Sequence, residues 1–119
     1  MNEHQMTEIE NKVKVELGNF IKSKIDQQEI VLKQKGLLEQ KEKLSQSQLA
    51  RMIGISPVWM NNICRGEKMP NNEILKAIAD NLLIDEYEIF KVARRLPPQL
   101  IDEMKREFLG DYYIPNLEM

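Results

Sequence analysis

Five cations, Lys41, Lys43, Arg51, Arg65 and Lys68, stand against only Glu42 and Glu67 between residues 41 and 70. Side chains of that type, gathered in a short stretch, are equipped to meet phosphate. The flanks have the opposite bias. Residues 1–40 carry six Lys/Arg against seven Asp/Glu, and residues 71–119 carry six against ten. The whole chain is therefore at −2 with a pI near 5.5, which argues against a generic basic coat for nucleic acid. Other chemistries are poorly supplied. Cys64 is the only cysteine and His4 the only histidine, so neither an internal disulfide nor a zinc spacing is available. The acidic residues alternate with lysines in the manner of solvated helices, so no catalytic residue, metal or cofactor is expected. Cys64 reads as an inert, partly buried thiol and the seven methionines as core filler.

The elements that position those cations are all helical. With 119 residues, 42% hydrophobic and 30% charged, the chain has the balance of one small globular domain carrying a helical extension. No stretch approaches the roughly 20 apolar residues of a membrane span. The opening MNEHQMTEIENK has no apolar core, so a cytoplasmic location is the expectation. All five prolines lie at or beyond position 57. Thr7 to Glu10 fits a capping box, followed by Ile9, Val13, Leu17, Phe20, Ile21 and Ile25 at helical spacing. Residues 27–43 read as a second, weaker helix with a break at Gly36. Ser45 to Gln48 is another capping box, opening a helix to about Ile53. Ser56-Pro57 opens the next, ended by Gly66. Asn71 and Asp85 start two more helices. Beyond Leu96-Pro97-Pro98 a last helix should turn Leu100, Ile101, Met104 and Phe108 inward, leaving a partly aromatic tail with Tyr112 and Tyr113.

Residues 46–63, QSQLARMIGISPVWMNNI, carry the most specific pattern. Leu49 and Ile53 face inward from one short helix, and small Ala50 lets the next helix cross closely. Gly54 can take a positive φ, and Ile55 plugs the space beneath the turn. Met60 and Ile63 supply a matching stripe, which leaves Pro57, Val58, Trp59, Asn61 and Asn62 mainly outside. That is a helix-turn-helix, whose second helix can enter the major groove of DNA.

The stretch LSQSQLARMIGISPVWMNNICRGEKMP, Leu44 to Pro70, resembles the Xre/Cro family of phage-repressor-type regulators, and NNEILKAIADNLLIDEYEIF resembles the two closing helices of that family. The resemblance implies an all-α, lambda-repressor-like bundle. Its core would span residues 44–96, with an extended N-terminal helical segment at 1–43 and an added C-terminal helix and tail at 97–119. In the N-terminal segment, helix 1 is expected at 8–25 with a helical insertion after it, the alternative being 28–42 behind an arm. It further implies that Pro57, Val58, Asn61 and Asn62 meet bases, with asparagine suited to adenine and Val58 to a thymine methyl. Lys43, Gln46, Ser56, Trp59, Arg65 and Lys68 would meet phosphates. One such helix reads about four or five base pairs, so a homodimer on a pseudo-palindromic operator in double-stranded DNA is the expected partner state. The stripes Ile9–Val13–Phe20 and Leu100–Met104–Phe108 are candidate interfaces. A protein partner held through residues 1–40 or 97–119, as in an antitoxin-type regulator, is the alternative, and a module that has kept the fold without DNA binding is a third.

Overall fold

Leu17, Ile21, Ile25 and Leu32 fall on one side of a single long helix, α1 (Glu3–Gln34), and all four are buried. The computed structural model describes residues 3–112, with side chains from residue 5. The side chain of His4, and the tail from residue 113 with Tyr113, lie outside the described residues. Six α-helices and a short 3-10 turn make up the regular structure, with no strand among the described residues.

Two sequence expectations about α1 change. The helix begins upstream of Thr7, so Thr7 to Glu10 lies within it and is not its cap. Residues 27–43 do not form a second helix either. α1 runs on through residue 34, then stops where Gly36 adopts φ 73° and the Leu37 N–H returns to the Leu32 carbonyl at 2.9 Å. Residues 35–45 cross to the next helix as an irregular loop. Buried Leu38 and Leu44 hold the loop to the core, and the Leu44 N–H donates to the Glu29 carboxylate at 2.6 Å.

Each of the next four helices starts on a polar cap visible in the sequence. These are α2 (Gln46–Ile53) on Ser45, α3 (Pro57–Cys64) on Ser56, α4 (Asn72–Leu82) on Asn71 and α5 (Glu86–Val92) on Asp85. Their inner faces, with Leu49, Met60, Leu75, Ile78 and Phe90 among the fully buried residues, close one core against α1. Lateral ties fix α1 in place. Gln28 donates to the Leu82 carbonyl at 2.9 Å, satisfying an orphan at the end of α4, and Lys24 pairs with Glu88 at 3.3 Å.

The last helix, α6 (Pro98–Leu109), departs from expectation. None of its residues is buried; Leu100 and Ile101 are half-buried, while Met104 and Phe108 face solvent. The Leu96-Pro97-Pro98 corner, with Pro97 buried, leads the helix away from the core instead of folding its apolar stripe back onto it.

Candidate nucleic-acid interface

The turn between α2 and α3 is built from the inside out. Leu49 and Ala50 have no exposed surface, and Ile53 and Ile55 pack as partly buried neighbours of the core. Gly54 takes φ 82°, and both its N–H and that of Ile55 return to the Ala50 carbonyl, at 2.9 and 3.0 Å. A residue with a Cβ would be strained there. At the start of α2 the Ser45 hydroxyl accepts the Gln48 N–H at 3.1 Å. Gln48 does not reach back to complete the box; its side-chain oxygen accepts from Arg51 at 2.8 Å.

The Ser56 hydroxyl accepts the Trp59 N–H at 3.0 Å, and Pro57 occupies the first turn, where a missing N–H has no cost. Met60, Ile63 and Cys64 are then buried at the spacing of one helix face. This phase turns Pro57, Val58 and Asn61 to solvent, with Val58 70% exposed. Asn62 is half-buried on the flank, and Trp59 is half-buried with its ring against the core margin. The four residues expected to meet bases thus share one short helix, with Asn62 the least open.

Apart from Trp59, the residues expected at phosphates divide into two groups. Ser56, Arg65 and Lys68 are exposed around α3. Arg65 pairs with Glu67 at 3.4 Å, a solvent-facing ion pair that holds weakly and leaves the guanidinium exchangeable. Lys43 is exposed and Gln46 half-buried at the N-terminus of α2, where they border a groove of about 290 Å³ with Lys22, Asp26 and Ser45. The partial positive charge of a helix N-terminus and two ammonium groups beside it suit a phosphate oxygen. Lys22 was not singled out by sequence. It lies on α1, far from the motif in the chain, and no local pattern marks it. Among the described residues, no three His, Cys, Asp or Glu side chains converge on a metal site, and no helix is long and apolar enough to cross a membrane.

Two glycines bring α1 against α3. A Cβ on Gly18 would fall on the Cys64 carbonyl, and one on Gly66 would sit 2.8 Å from the Val15 Cα. Cys64 is sealed beneath this crossing. Burial pushes its thiol up to about 11, against an opposing pull from nearby Lys22, so it stays protonated and unreactive near neutral pH.

Residues 35–89 match the helix-turn-helix family. That segment is an Xre/Cro-type helix-turn-helix domain. The match begins just after α1 ends and stops within α5, so the helix-turn-helix domain is completed in space by a helix outside the matched region. No curated protein and no solved structure matches the chain. That family is one of DNA-binding regulators, and the matched segment contains the α2–turn–α3 unit.

Proposed function

We propose that the protein is a sequence-specific transcriptional repressor that reads an operator as a homodimer, each copy laying α3 in the major groove. The observation that carries this reading is the two-sided character of α3. Its inner face is locked into the core by Met60, Ile63 and Cys64, while Pro57, Val58 and Asn61 stand open to solvent. A helix fixed in this way presents base-reading side chains on a rigid support.

Asn61 and Asn62 offer paired donors and acceptors suited to adenine, and Val58 offers a methyl-sized apolar contact suited to thymine. Pro57 adds apolar contact only. Ser56, Trp59, Arg65, Lys68, Gln46 and Lys43 surround them as phosphate contacts that set the register. Two asparagines where arginine could stand favour an A·T-leaning half-site. One such half-site is too short for useful discrimination in a genome, which favours two copies about 34 Å apart along the duplex. A chain of this size suits control of a phage, plasmid or other mobile element.

Selection of bound sites from random duplexes tests the whole reading. A two-fold symmetric, A·T-leaning site is expected. Recovery of no enriched sequence at low salt would overturn it.

A further inference from the structure

We propose that Arg95 is a positioning residue for DNA binding, which holds from beyond α5 the segment that presents Lys68. This deepens the reading above and rests on it for Lys68 as a phosphate contact, though not for the holding itself. Residues 65–71 join α3 to α4. The first part of that segment is fixed locally. Gly66 lies against Val15 on α1, and the Glu67 N–H returns to the Asn62 carbonyl at 2.9 Å. Beyond it Lys68 is exposed, Met69 is half-buried against the core and Pro70 is buried. Proline has no N–H, and among the described residues the backbone of 68–70 makes one hydrogen bond. Arg95 donates it. Its Nη1 lies 2.6 Å from the Pro70 carbonyl and also donates to Asn72 Oδ1 at 3.2 Å.

The end of α5 aims the side chain. The Arg95 N–H returns to the Phe90 carbonyl at 2.9 Å and the Arg94 N–H to the Lys91 carbonyl at 3.1 Å, closing the helix on a left-handed residue. That residue is Arg94, at φ 59°, where glycine is usual. On either side of this corner the two arginines reach different elements. Arg94 pairs with Glu16 on α1 at 3.3 Å, an exposed contact that holds weakly, while Arg95 turns to Pro70. The Arg95 bond is charge-assisted and stronger than a neutral one, and its loss leaves the carbonyl of a buried residue unpaired. Lys68 stands two residues from that carbonyl. A cation on a slack segment must be ordered when it meets a phosphate, and the ordering is subtracted from binding. Arg95 orders the segment beforehand. It lies outside the matched residues 35–89, so this support comes from beyond the family's helix-turn-helix segment.

The test is a double-mutant cycle on the full chain with a selected operator, together with backbone NMR relaxation of the free chain. Arg95→Met keeps the stem and removes the donors. It should make the Lys68 and Met69 amides more mobile and weaken operator binding about threefold to tenfold, with an unchanged circular dichroism spectrum. In a Lys68→Ala background the same change should alter binding by less than about twofold, because no cation is left to position. Arg95→Lys, which keeps a charge and a donor, should restore most of the affinity. Should Arg95→Met not fold, Arg95→Gln takes its place in the cycle. Additive losses, with a salt slope lowered by about one ion for Arg95→Met in the Lys68→Ala background, would make Arg95 a direct phosphate contact and overturn the proposal. A Lys68 amide as rigid in Arg95→Met as in the parent would also overturn it. Failure of the operator reading is distinct. A parent chain that selects no sequence removes the repressor, and the relaxation measurement alone then decides whether Arg95 holds the segment.

Discussion

Gly18 on α1 lies directly against the backbone carbonyl of Cys64, the last residue of α3, with no space for a side chain between them. α3 is therefore seated by a backbone-to-backbone crossing. Gly18→Ala gains about 1 kcal/mol of helix propensity but forces two backbones apart, at about 1–3 kcal/mol. The expected outcome is a net loss of stability in urea titration together with weaker DNA binding, because α3 must shift. Equal or higher stability with unchanged binding would show that the crossing yields easily.

Asn62 and Lys68 should fail in different ways. Asn62→Ala is expected to lose about 1–3 kcal/mol of discrimination at one base position. Lys68→Ala should weaken binding to all sequences alike and reduce the salt slope by about one ion. Affinities for a matched set of single-base operator variants at several salt concentrations distinguish the two. Similar behaviour of the two variants would mean that base and phosphate contacts are sorted wrongly.

Trp59 is the only tryptophan, half-buried on the flank of α3 with its N–H end suited to a phosphate. Adding a selected operator should change its fluorescence in a saturable way, with a midpoint that follows the binding curve. A silent signal on full binding would remove Trp59 from the contact set.

Cys64 makes a prediction about alkaline pH. Its thiol is raised from 9.0 to about 11 by burial, so between these values the folded chain holds a proton that the unfolded chain has released. Stability from this group is fully present below pH 9 and is lost as pH rises through about 11. Unfolding measured across that window should show a decline that is shallower in Cys64→Ala than in the parent chain. Thiol reagents should likewise react with Cys64 only as fast as the chain opens.

The parts that sequence conveyed well are those governed by short-range rules. Ser45, Ser56, Asn71 and Asp85 each accept a backbone N–H at the start of a helix, as their positions before apolar runs implied. The inner residues Leu49, Ala50, Met60 and Ile63 are all buried, as their spacing required. The failures come from longer-range physics. Thr7 has the chemistry of a cap, but helix continues upstream of it. The Gln- and Lys-rich stretch after Asp26 gave a weak apolar pattern, yet Leu32 is buried and extends α1, while Gly36 ends it. The stripe on α6 has the spacing of a core face, and the proline corner before it decides otherwise. Lys22 joins the groove at α2 only through the way α1 packs, which no neighbouring residue in the chain encodes.

The bond from the Leu44 amide to Glu29 makes the excursion between them a loop whose two feet are anchored independently of what it contains. Glu39 and Gln40 at its outer part are exposed. Added length at such a site costs little, since closure entropy grows only slowly with chain length. A peptide epitope or a reporter grafted between Glu39 and Gln40 should therefore be carried without unseating α2, offering a way to follow the protein in cells while both chain ends stay native.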